Sequence, residues 1–247
     1  MIVQEQALAE TRPRSRYGWL AGALLLLAAM YPTLGLGRWG QLAWTTVFWV
    51  VLLGCLRVVV AHPRIKTAAR MLGWVAIAGS VASLWCFSAA DGGHGITYLA
   101  IHGLSLAFLA FTTATILWDV FGHPRVTGQT LVGAACGYVL LGLTFAFAML
   151  VLHSLGADPL VWAGTGAAPS GGSRETARYL YFSFVTLSTL GYGDMIPRTP
   201  VAEVLAPAEA VIGQLYLAVF IARLIGMHVS RVRRCQHCGR IQTEQHL

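Results

Sequence analysis

The feature that most limits how this chain folds is a series of apolar runs, each close to the length needed to cross a lipid bilayer. They lie at residues 17–36, 42–61, 71–90, 96–120, 128–152 and 201–227. A spanning helix needs roughly 20 mostly apolar residues, and inside lipid a segment must satisfy its own backbone hydrogen bonds. The expectation is an all-α membrane protein with six transmembrane helices. Composition agrees, with 56% of the 247 residues hydrophobic and only 11% charged. The first run is long and is not followed by a small-residue cleavage site, so it reads as a span rather than a signal peptide.

The basic residues orient these spans, because Lys and Arg near span ends are retained on the cytoplasmic side. With the N-terminus inside, Arg12, Arg14, Arg16, Arg64, Lys66, Arg70, Arg125, Arg231, Arg233, Arg234 and Arg240 all fall inside. Arg38, Arg174, Arg178 and Arg198 fall outside, and Arg57 and Arg223 lie within spans. Both termini are then cytoplasmic in a multi-pass plasma-membrane protein. Topology accounts for the net charge of +7, so no nucleic-acid partner is expected. Cys55, Cys86 and Cys136 sit singly within spans, where they pack as small apolar residues. Arg223 is placed to reach lipid headgroups with its guanidinium.

Between the fifth and sixth runs lies a mixed stretch of about fifty residues that contains YFSFVTLSTLGYGDMIPRTP, from Tyr181 to Pro200. Ser173 is suited to cap a short helix from near Arg174 to near Ser188, with Glu175 in its first turn. Gly191 and Gly193 then reach conformations closed to other residues, which lets the carbonyls of Thr189, Leu190, Gly191 and Tyr192 turn to one side. Rings of such carbonyls replace the water around a dehydrating cation.

The string TLGYGD, Thr189 to Asp194, resembles the selectivity filter of the potassium-channel pore-loop superfamily, with Leu190 where Val is commoner. The resemblance runs from Tyr181 to about Gly226, and the whole layout is similar to bacterial six-helix potassium channels without an Arg-rich voltage sensor. It implies a re-entrant pore helix and filter loop between helices five and six, and a homotetramer around a central pore in the bacterial inner membrane, because one chain supplies one loop and a closed ring needs four. Potassium ions are the permeant ligand and no cofactor is implied. The filter residues are Thr189, Leu190, Gly191, Tyr192 and Gly193, with Asp194 just outside them. By the same resemblance, Tyr181 and Phe182 are the aromatic pair bracing the filter from behind; the first is commonly Trp, and Tyr181 keeps a donor for Asp194. Gly213, twenty positions beyond Gly193, stands where many members carry a gating-hinge glycine.

The implied organisation is a cytoplasmic segment 1–16, a four-helix shell 17–121, a pore domain 122–229 and a cytoplasmic tail 230–247. The fourth run contains no Lys or Arg, so the shell lacks sensor charges. Gly213, Leu217, Ile221 and Ile225 recur at four-residue spacing and are candidates to line the cavity and inner gate. Glu209, an ionisable group in an apolar span, is a functional candidate, with Ser183 or Thr186 as partner behind the filter. The break at residues 122–126 is short enough to favour a non-swapped packing of shell and pore. In the tail, Cys235 and Cys238 have ligand spacing and supply half of a tetrahedral zinc site, against the simpler reading of a disordered, reduced tail. Other functions weighed are a less selective cation channel, a non-conducting partner subunit, and a membrane thiol oxidoreductase using that cysteine pair.

Overall fold

In the computed structural model, the described residues are 16–32, 43–55 except 45 and 49, 96–122, 128–156, 158–163 and 172–244. They form helices α1 (Arg16–Ala29), α2 (Thr46–Cys55), α3 (Ile96–Gly122), α4 (Gly128–Ser154), α5 (Gly172–Leu187) and α6 (Pro200–Glu244), with short strands β1 (Leu160–Trp162) and β2 (Met195–Pro197). Among them three stretches are long and apolar enough to cross a membrane: Leu99–Gly122, Gly128–Ser154 and Pro200–Gly226. The first expected span is shorter than read from hydropathy. Helix α1 stops at Ala29, ahead of Pro32, whose ring and missing N–H do not continue a helix. The second is described over α2, and the third expected span, with Cys86, lies outside the described residues.

Helices α3 and α4 form an antiparallel pair. Thr113 Oγ1 lies 3.2 Å from Thr144 Oγ1, and Ile116 and Leu117 lie against Gly137, so the register runs in opposite directions along the two helices. Helix α1 packs on the same pair, where the Tyr17 hydroxyl bonds the Asp119 carboxylate and its ring lies against Gly133. At the other end of α1, Tyr31 donates to the Ala177 carbonyl of α5 at 3.4 Å. Leu20, Leu24 and Leu27 of α1 and Phe108, Leu140, Leu143 and Phe147 of the pair are buried in one core. Cys55 and Cys136 are buried free thiols, as expected of small apolar packing residues.

Helix α6 begins at a proline, tolerated in a first turn where the missing N–H would be unpaired anyway. Thr199 caps it, accepting from Ala202 N at 3.3 Å, and Glu203 occupies the first turn. The helix packs along α4, with the Tyr216 hydroxyl donating to Ala134 O at 2.6 Å. Arg223 does not turn to lipid: it donates to the Val120 carbonyl in the last turn of α3, where carbonyls lack intrahelical partners. The helix continues to Glu244, so the backbone carrying Cys235 and Cys238 is helical rather than irregular.

Candidate functional site

Helix α5 enters beside the far end of α4 and runs antiparallel to it. Its first turn starts at Gly172, one residue before Ser173, and its Glu175 pairs with His153 Nε2 at 3.2 Å. Further along, Ser183 Oγ reaches Gly142 O at 2.7 Å, and at the end of α5 Leu187 O accepts from the Tyr138 hydroxyl at 3.2 Å. From residue 153 to residue 138 of α4 is about 22 Å at 1.5 Å per residue. The chain therefore descends roughly half of α4, turns, and climbs back. The return is anchored by β2, which pairs antiparallel with β1 in the register Leu160↔Pro197, Val161↔Ile196, Trp162↔Met195. Arg178 locks the same corner, donating to Leu160 O at 3.2 Å and facing Asp158 at 3.7 Å. Tyr179 donates to Asp158 Oδ1 at 3.2 Å.

The turning point is Ser188 to Asp194, and its backbone alternates. Thr189, Gly191 and Gly193 have φ of 57°, 55° and 75°, all in the left-handed region that L side chains avoid. Gly191 and Gly193 adopt it freely; Thr189, β-branched, is held there by its surroundings. The N–H groups of Leu190 and Gly191 both point back to Val185 O, at 2.9 and 3.4 Å. In a trans peptide the carbonyl points opposite to the N–H of the next residue, and the described chain has no cis peptide bonds. The carbonyls of Thr189 and Leu190 therefore point away from α5, toward the open side of the chain.

Tyr181 donates to Asp194 Oδ2 at 2.7 Å, closing the returning strand against the helix, and its ring stacks with that of Tyr192 at 6.4 Å and 7°. Phe182 faces the core and is buried. The Ser183 hydroxyl also meets Glu209 Oε1, which selects Ser183 over Thr186 as the partner of this fully buried acid; Glu209 Oε2 has no hydrogen-bond partner among the described residues. One serine thus joins α4, α5 and α6 behind the turn.

The four residues at four-residue spacing on α6 do not share one environment. Gly213 is buried against the end of α5, where an added Cβ would meet Leu187 O at 2.6 Å. Leu217 is half-buried against the core, while Ile221 and Ile225 are 53% and 59% exposed. Four residues advance a helix by 400°, so each step drifts 40° and the row winds off the packed face. The polar side chain on the exposed flank is Gln214, whose Nε2 donates to Thr189 Oγ1 at 3.0 Å. Sequence reasoning passed over Gln214, Tyr138 and Tyr216, although each is a polar group inside an apolar run and so needs a partner there. Backbone at Cys235 and Cys238 is described, but their side chains lie outside what is described.

A family model described as "Ion channel", Ion_trans_2, matches residues 139–229, the stretch from mid-α4 through the turn and most of the apolar part of α6. Over these residues the chain resembles an ion-channel module. The module carries the TLGYGD loop, and its match supports the resemblance to the potassium-channel pore-loop superfamily. Among curated proteins, the chain is 28% identical over 88 residues to "Two pore potassium channel c" of Oryza sativa subsp. japonica. That alignment covers 36% of this chain and 16% of the relative, so the chain matches about a sixth of that protein's length. No solved structure matches the chain. Together these likenesses point to a membrane channel protein and not to an enzyme.

Proposed function

We propose that the chain is one subunit of a passive, potassium-selective homotetrameric channel in the plasma membrane, with both termini cytoplasmic, and that TLGYGD from four copies forms its filter. The observation that carries this reading is the direction of the Thr189 and Leu190 carbonyls, turned from α5 by the two N–H bonds to Val185 O and continued by glycines at positive φ. Four such loops around an axis present stacked oxygen rings that substitute for a cation's hydration shell. The descending helix α5 ends at the turn, and the negative end of its dipole favours a cation there.

Other features have roles in the same reading. Asp194, held by Tyr181, leaves a carboxylate at the outer mouth where it raises the local concentration of cations. Glu209 and Ser183 brace the filter from behind, while Gln214, Ile221 and Ile225 border the inner cavity with Leu217 at its edge. Gly213 adds to any hinge role a close approach to α5. Large apolar side chains on the far flank of α6, among them Val204, Val211, Leu215 and Val219, are more than half exposed in the single chain, which suits burial against a neighbouring subunit or lipid. The extensive α3–α4 contact within one chain suits a non-swapped shell, and the absence of Lys and Arg from α3 leaves that shell without a steep response to voltage. The deciding experiment is ion flux in liposomes containing only this protein. Potassium flux with sodium excluded supports the proposal; equal flux of both indicates a less selective cation channel, and no flux a non-conducting subunit.

A further inference from the structure

Resting on the channel reading, we infer that Gln214 is a positioning residue for the filter, holding the Thr189 hydroxyl oxygen at the inner mouth and thereby setting cation affinity there. The argument begins with hydrogen counting. A threonine hydroxyl has one hydrogen to give and two lone pairs. Thr189 Oγ1 gives its hydrogen to Ser188 O at 2.7 Å and accepts from Gln214 Nε2 at 3.0 Å. One lone pair remains, on an exposed residue whose own carbonyl points away from α5. With donor and acceptor directions both fixed, the hydroxyl cannot rotate to present its hydrogen to an arriving cation.

Backbone strain gives an independent reason for the contact. Thr189 is β-branched and sits at φ 57°, a strained conformation that persists only where neighbours over-determine it. Two bonds local to the turn, from Thr189 N to Thr186 O at 2.9 Å and from its hydroxyl to Ser188 O, hold it from one side. Gln214 holds it from α6 and is the tie that spans the two elements. Its reach is set by the residue before it, since Gly213 lets α6 approach Leu187 O at a distance where no Cβ fits. Within the apolar stretch AVIGQLYLAVFIA, the partner of this carboxamide is the hydroxyl at the cavity side of the filter.

The test uses purified full-length protein in planar bilayers, with Ba2+ added at the inner mouth as a divalent probe of nearly the radius of K+. Gln214→Met keeps the length and packing of the side chain and removes the donor; the expected result is about tenfold weaker Ba2+ inhibition, or about 1.4 kcal/mol. Gln214→Glu replaces the donor with an acceptor-only anion at neutral pH, and Ba2+ inhibition is expected to strengthen. In a Thr189→Val background the Gln214→Met effect should vanish, because there is no hydroxyl left to position. Wild-type Ba2+ inhibition in both Gln214 variants, or an undiminished Gln214→Met effect without the Thr189 hydroxyl, overturns the inference. So does loss of tetramer in Gln214→Met, which assigns the residue to assembly. Absence of K+ current in the wild-type protein is a different result and defeats the channel reading itself.

Discussion

Substituting Gly213 by Ala tests whether the approach of α6 to the end of α5 is required by the fold and by the filter. An alanine Cβ would stand 2.6 Å from Leu187 O and 2.8 Å from Leu187 Cδ1. The leucine methyl can rotate aside, but the backbone oxygen is fixed by α5 and by the Tyr138 hydroxyl. A carbon–oxygen contact relaxes at about 3.3 Å, so α6 must retreat by about 0.7 Å. Overpacking of this kind costs about 1–3 kcal/mol, and a contact with backbone belongs at the upper end. Alanine returns about 1 kcal/mol in helix propensity, leaving a net loss of about 2 kcal/mol. For a chain of this length that is a fall in Tm of about 4–8 °C. The same retreat lengthens the 3.0 Å Gln214–Thr189 bond to about 3.7 Å, beyond hydrogen-bond reach, so potassium flux should fall as well. Gly226→Ala is the control, since nothing lies within 4 Å of its added Cβ; it should gain stability from helix propensity. Thermal melting of the detergent-solubilised protein and liposome flux on both variants read this out. A Gly213→Ala protein as stable and as conductive as wild type would refute the close-approach argument.

Three further outcomes are expected. Gly191→Ala forces an L side chain into φ near +55°, which costs about 1–2 kcal/mol, and should abolish potassium flux while native mass measurement still finds the tetramer. Tyr181→Phe removes the donor to Asp194 and with it a charge-assisted bond worth about 1.5–3 kcal/mol; single-channel recording should show altered open probability or inactivation with unchanged ion preference, and wild-type kinetics would count against the brace. Each charge crossing the membrane field gains about 2.3 kcal/mol per 100 mV; with no Lys or Arg in α3, a conductance–voltage curve should be shallow, and a gating charge of several elementary units from the shell would contradict it.

What could be read in advance was what chemistry forces into local sequence. Glycines at alternate positions followed by an acid announce a backbone of unusual hand, and a helix with Glu175 in its first turn and Tyr179, Phe182 and Val185 along one side announces itself by charge and periodicity. The partnership of Glu209 with Ser183 was within reach because a buried carboxyl must find a donor. The tie from Gln214 was overlooked for the opposite reason: attention went to apolar spacing, whose 40° drift per step separates Gly213 from Ile225. Strands of three residues, such as Leu160–Trp162, are too short for any period to show, and they form here because the returning chain needs partners for its backbone groups. Pro32 marked the end of α1, yet hydropathy alone carried the expected span past it to Leu36. Arg223 has an equally good partner in water and in a frayed helix end, and its choice of Val120 O depends on where α3 lies.

The most direct measurement of the central claim is the reversal potential of currents through the purified protein in a planar bilayer, with KCl on one side and NaCl on the other. A filter built from Thr189, Leu190, Gly191, Tyr192 and Gly193 is expected to place that potential far toward the value set by potassium alone, and Gly191→Ala is expected to remove the current. A reversal potential near zero, with comparable currents carried by the two ions, would contradict the assignment of these carbonyls as a potassium-selective filter.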